Sequence, residues 1–222
     1  MSETTNPGAP CPDACPDRAF AGHEQIQELY GPPLVYGLKM HINYIHEHHK
    51  TFIAHSPFLV LTSCPRDGYP TASPKGDQKG FVQVADEKTL LIPDRPGNNQ
   101  LQTLHNVFDN PKVGLIFFVP GIEETLRVRG TVGITRDPEV LKAFAVTGKV
   151  PNSAIRIQVE EAYMHCGKAL RRSRLWDPQQ HVPRHDIPTI ARMMVDQTGP
   201  VPGKTVEELD QLQEQIYDST LY

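Results

Sequence analysis

Four short segments bring charged or amide side chains together with residues that bend or expose the backbone. In Leu91-Ile-Pro-Asp-Arg-Pro-Gly-Asn-Asn-Gln100 a strand ends, a turn with Pro and Gly follows, and a helix begins. Free N–H groups at a helix start, with Arg95, Asn98 and Asn99 beside them, make an anion site without further machinery. Read alone, the same residues are also an ordinary turn followed by a helix cap. In Thr71-Ala-Ser-Pro-Lys-Gly-Asp77 a strand tip is expected to break at Pro74 and present Lys75 beside Gly76, where a ligand can approach the backbone closely. A surface loop with a solvated lysine would read the same way. In Glu124-Thr-Leu-Arg-Val-Arg-Gly130 the two-residue period of a strand puts Arg127 and Arg129 on one face, about 7 Å apart. They need a shared anion, separate carboxylates such as Glu160 and Glu161, or open solvent. Finally, Cys166-Gly-Lys-Ala-Leu-Arg-Arg-Ser-Arg-Leu-Trp176 gathers Lys168, Arg171, Arg172, Arg174 and the only tryptophan, a set able to cap a phosphate or stack beside a planar ring.

The cysteines and histidines read differently. Cys11 and Cys15 lack a second close pair and the usual two-residue knuckle, so with Cys64 and Cys166 they are expected to be free thiols. Five of the ten histidines lie between 41 and 55. On the helix expected over 38–55, His41, His48 and His55 share a stripe, and His46 and His49 are i,i+3 neighbours. A polar, solvated helix face is the expectation, with a metal site as the alternative.

Composition excludes several classes. Net charge is −4 over 222 residues, which argues against a general nucleic-acid binder needing a basic surface. No apolar run approaches the roughly 20 residues that span a bilayer. The start, MSETTNPGAPCPDACPD, has no apolar stretch typical of a secretory signal, so a cytoplasmic protein is expected.

The elements that must position the four segments follow from periodicity. Nine of the 21 prolines fall in 1–16 and 178–202, so the core is expected between them. Residues 1–22 read as a flexible arm, 23–176 as one domain and 177–222 as a helical arm lying on the domain or on a partner. Helices are expected at 23–30, 38–55, 98–109, 138–144, 187–196 and from 205 to about 217, the last opened by the capping pattern Thr205-Val-Glu-Glu. Strands are expected at 58–63, 69–73, 81–84, 89–92, 113–119, 126–134 and from about 155. The nearly continuous apolar run 113–119 is expected to be buried on both faces. Six or seven evenly spaced strands with few helices between them predict a mainly β protein, an antiparallel split β-barrel with helices on its outside.

As an ordered set these segments resemble the pyridoxamine 5′-phosphate oxidase-like superfamily of FMN-binding split-barrel proteins, and within it an uncharacterised bacterial group of FMN-dependent flavoproteins. The resemblance covers about 38–176. It is carried by Ser56-Pro57-Phe58, Ser73-Pro74-Lys75-Gly76-Asp77, Pro93 to Asn99, Asn110-Pro111-Lys112-Val113-Gly114, Glu124 to Gly130 and Cys166 to Trp176. It implies a homodimer with FMN at the subunit interface and an oxidoreductase passing hydride or electrons between a nicotinamide or other small donor and a small molecule. A flavin or haem carrier or sensor is the alternative. By this analogy Ser73, Lys75 and Gly76 lie along the ring and ribityl chain, Arg95, Asn98 and Asn99 hold the phosphate, and Thr125 and Arg127 approach the ring edge. Lys168, Arg172 and Trp176 fall where the other subunit contributes. The oxidase carries an Arg-Lys pair where this chain has Asn98-Asn99, and its terminal Arg-x-His substrate signature is missing here. The first leaves fewer fixed cations at the phosphate, and the second argues against pyridoxamine phosphate oxidation itself.

Overall fold

The computed structural model describes residues 22–222; Cys11, Cys15 and nearly all of the expected 1–22 arm lie outside them. Seven strands alternate along the chain with short helices: β1 (Phe58–Ser63), β2 (Thr71–Gly76), β3 (Gln83–Asp86), β4 (Thr89–Pro93), β5 (Lys112–Phe118), β6 (Thr125–Thr135) and β7 (Ala154–His165). They form one sheet in the order β2-β1-β5-β6-β7-β4-β3. Every pairing is antiparallel. The edge strands β2 and β3 are not hydrogen-bonded to each other, so the sheet is not closed. The protein is mainly β with peripheral helices, as a split barrel requires.

The helices are α1 (His23–Tyr30), α2 (Val35–Lys39), α3 (Glu47–His55), α4 (Gln102–Asp109), α5 (Pro138–Lys142), α6 (Lys168–Ser173), α7 (Ile190–Thr198) and α8 (Val206–Thr220). Leu59, Leu61, Leu90, Ile92, Leu115, Phe117, Leu126, Ile155 and Ile157 form one buried core on the sheet. Ile45 and Ile53 from the α3 region and Val107 from α4 cover them. Each fully buried aliphatic side chain there contributes about 1.5–3 kcal/mol relative to exposure.

Tertiary contacts overrule local pattern in four places. The single helix expected over 38–55 is two helices, because Ile42 is drawn into the sheet, exchanging both backbone hydrogen bonds with Ala162. The histidine stripe therefore does not exist: His41 stacks on Tyr163 with ring centroids 3.8 Å apart, while His46 caps α3 and His49 completes a capping box. Second, β5 alternates between buried and half-buried residues instead of being enclosed on both faces. Third, β2 does not break at Pro74. It runs on to Gly76, with Pro74 opposite Val60, and an edge strand tolerates the missing N–H. Fourth, residues 98–101 are not helical, and α4 starts only at Gln102.

The β6–β7 pair carries a bulge between Arg129 and Gly130. A Cβ at 130 would fall on the Gln158 carbonyl oxygen, so only glycine fits. Beyond the sheet, α7 and α8 pack on each other. Thr205 and Glu208 form the expected capping box that opens α8.

Candidate functional site

β4 ends at the fully buried Pro93, and the Asp94 N–H donates to the Ser153 carbonyl at 3.0 Å, which pins the start of the following turn. From there the chain crosses an open region as Arg95-Pro96-Gly97-Asn98-Asn99-Gln100-Leu101 before α4 begins. Asn99 and Leu101 both adopt left-handed backbone, with φ of 56° and 51°. That conformation is costly for a leucine and persists only where its surroundings enforce it. Two anchors do so. The Asn98 side chain accepts from the Gln100 N–H at 3.1 Å. The buried Asn106 amide of α4 donates to Ser63 and Thr71, both at 3.0 Å, tying the helix to β1 and β2. Alternating backbone of this kind turns N–H groups toward one side and favours anions.

The turn forms one wall of a cleft of about 940 Å³. β2 forms another, with Ser73 and Lys75 on its half-buried face and Gly76 at its end. Lys149 to Asn152, before β7, and Tyr222 complete the lining. The cations here are held by carboxylates. Lys75 Nζ lies 3.6 Å from Asp94 Oδ1. Arg95 Nε donates to Asp77 Oδ2 at 2.6 Å, and the Asp77 side chain is only 2% exposed. Burial pushes the Asp77 carboxyl up. Hydrogen bonds from the Gln78 N–H, Arg95 and the Tyr222 hydroxyl, with the Arg95 charge, outweigh it and hold the group below the usual carboxylate range.

Of the eleven residues singled out from the sequence, this cleft brings together Ser73, Lys75, Gly76, Arg95, Asn98 and Asn99. Thr125, Arg127, Lys168, Arg172 and Trp176 do not line it. Thr125 is fully buried at the start of β6. Arg127 is half-buried opposite Tyr163. Lys168 and Arg172 project from α6 into solvent, and Trp176 donates its indole N–H to the Ile122 carbonyl at 2.8 Å. β1 and β5 separate β2 from β6, a span of three strand spacings or about 14 Å. Of the candidate acids for the β6 arginines, Glu161 pairs with Arg129 at 3.0 Å, and Arg127 has no ion pair among the described residues. Sequence reasoning missed Asp77, Asp94, Lys149 and Tyr222. The two aspartates stand inside the quoted motifs, but each holds the cation of the other motif: Asp77 holds Arg95 and Asp94 holds Lys75. Lys149 and Tyr222 carried no local signal.

Among the described residues no group of three or more histidine, cysteine or acidic side chains is placed to hold a metal. Among the described residues no helix is long and apolar enough to cross a membrane.

An open antiparallel split barrel with Lys75 and Arg95 lining a cleft at the β4–α4 turn is the architecture of this chain, and the comparisons give its family. Residues 45–166 match the family described as pyridoxamine 5′-phosphate oxidase, and the chain belongs to that family. The family commonly binds flavin nucleotides. Among solved structures, HupZ of Group A Streptococcus is 22% identical, with a TM-score of 0.45 over 54% of this chain and 93% of its own. General stress protein 26 of Bacillus anthracis is 17% identical, with a TM-score of 0.41 over 51% and 88%. A Clostridium acetobutylicum protein related to general stress protein 26 is 15% identical, with a TM-score of 0.42 over 53% and 85%. No curated protein matches significantly.

Proposed function

We propose that the protein binds FMN in the cleft between β2 and the 94–101 turn, as a homodimer, and that it is an oxidoreductase acting on a small molecule. The observation that carries this reading is the cleft itself: Lys75, Arg95, the Asn98-Asn99 amides and the left-handed turn converge on one space. Its volume of about 940 Å³ falls within the range of about 300–1,000 Å³ usual for cofactor clefts. The residues present fit a flavin nucleotide. Arg95 and the turn amides meet the charge of a phosphate, and Gly76 lets a flat ring approach the end of β2.

FMN, when bound, supplies hydride and electron transfer; the protein supplies binding, orientation and charge. Arg95, fixed by Asp77, holds the phosphate end. Lys75 puts positive charge along the β2 wall, which favours added electron density on a ring beside it. Its partner Asp94 keeps the ammonium in place. The dimer reading draws on Arg127, Lys168, Arg172 and Trp176, which do not line the cleft of their own chain. The half-buried outer face of β5, next to the 38%-exposed Phe58 ring, is apolar surface suited to such a seam.

Flavin fluorescence titration tests the site. Lys75→Ala and Arg95→Ala are each expected to weaken FMN binding, and unchanged affinity in both removes the assignment. Steady-state NADH or NADPH oxidation by the flavin-loaded protein separates an oxidoreductase from a carrier. Light scattering is expected to give twice the chain mass of 24.8 kDa, and a single-chain mass for the loaded form excludes the shared site.

A further inference from the structure

Tyr222 lies far along the chain from every motif above, yet it touches three separate parts of the cleft. Its hydroxyl donates to Asp77 Oδ1 at 2.9 Å, across 145 positions of sequence. The Arg95 guanidinium carbon stands 5.2 Å from the centre of its ring. Its main-chain oxygen accepts from Lys149 Nζ at 2.7 Å. Asp77 follows β2, Arg95 follows β4 and Lys149 precedes β7. One residue thus bridges the two sides of the cleft that the sheet leaves apart, and it lines the cleft itself.

The arrangement around Arg95 shows what the bridge does. Asp77 spends Oδ2 on Arg95 Nε and Oδ1 on the Gln78 N–H and the Tyr222 hydroxyl. Both carboxylate oxygens are thereby engaged, by three donors, which restrains the group from swinging to another. The guanidinium is held at Nε by Asp77 and on its face by the tyrosine ring, an attraction between a cation and the negative face of an aromatic ring. Its two Nη groups make no hydrogen bond among the described residues, so the edge that suits two phosphate oxygens stays free. A long arginine normally loses rotamer freedom when it grips a ligand; here that freedom is already removed. The Tyr222 hydroxyl is itself held in the protonated state, its hydrogen bond to Asp77 pushing its pKa up.

We propose that Tyr222 is a positioning residue for the anion-binding Arg95, acting on it directly through its ring and indirectly through Asp77. The inference rests on the reading of this cleft as the FMN site.

A double-mutant cycle on the full chain tests it, with FMN affinity read by fluorescence titration. Tyr222→Ala is expected to weaken FMN about tenfold, because only part of the lost cation–π contact and charged hydrogen bond reaches the ligand, by way of Arg95. Tyr222→Phe keeps the ring over Arg95 and is expected to lose less. In an Arg95→Ala background, Tyr222→Ala is expected to cost nothing further, because it acts through Arg95. Arg95→Lys serves as a second background in which binding is retained. Additive losses, a Phe variant as weak as the Ala variant, unchanged affinity in Tyr222→Ala, or tighter FMN binding each overturn the proposal. Unchanged affinity in Arg95→Ala with Lys75→Ala still weakened also overturns the proposal, whereas unchanged affinity in both overturns the reading of the cleft, so the two failures are distinct.

Discussion

The two basic regions are built on opposite principles. In the cleft, Arg95 is matched by Asp77 and Lys75 by Asp94, with side chains no more than 19% exposed. On α6 the same residue types stand in solvent. Arg171 and Arg174 are paired with Glu123 and Asp177, while Lys168 and Arg172 make no ion pair among the described residues. A cation locked to a buried carboxylate is an oriented part of a site before any ligand arrives. An exposed cation gains little from surface pairing and pays for order only on binding. The cleft is therefore a preorganised half. The α6 face becomes a site only when something, in our reading the second subunit, brings a ligand to it.

The largest effect that would separate the regions comes from Gly130, which shapes the strand carrying Arg127 and Arg129. Gly130→Ala forces a Cβ into the Gln158 backbone and is expected to cost about 3 kcal/mol or more by urea unfolding. A loss below about 1 kcal/mol would mean that the bulge is not tight. Next, Arg95→Ala strips a donor from the buried Asp77 carboxylate and is expected to destabilise by about 2 kcal/mol, since Gln78 and Tyr222 still serve it. Lys168→Ala and Arg172→Ala are the contrasting pair. Each is expected to leave stability within about 0.5 kcal/mol of wild type while weakening FMN binding several-fold. Unchanged FMN affinity in both would leave the α6 face a plain solvated surface. The smallest effect is acid sensitivity. The folded Asp77 pKa lies below its unfolded value, so its stabilisation is present above about pH 4 and lost as pH falls through the folded value. Melting curves below pH 4 are expected to fall more steeply for wild type than for Asp77→Asn; parallel curves would show that Asp77 carries no such linkage.

Legibility followed the range of the interaction. The long strands were readable because alternation at β6 and β7 reflects one buried face, a property each strand carries itself. The capping box at Thr205 was readable for the same reason. The helix over 38–55 was misread because periodicity cannot register that Ile42 pairs with Ala162, some 120 positions away. The turn at 98–101 was misread as helix because its left-handed residues are Asn and Leu, not glycine. Lys75 and Arg95 stood out by type, but nothing local said that Asp94 and Asp77 would hold them, or that Tyr222 would close over the second pair.

By itself the sequence determined the class of fold and the polar segments at strand ends, because hydrophobic period, turn residues and charge are properties of neighbours along the chain. Only the tertiary structure decided that six of the singled-out residues share a cleft and five do not. That division depends on which strands lie between them, and strand order is set by long-range pairing and burial, which no local pattern encodes.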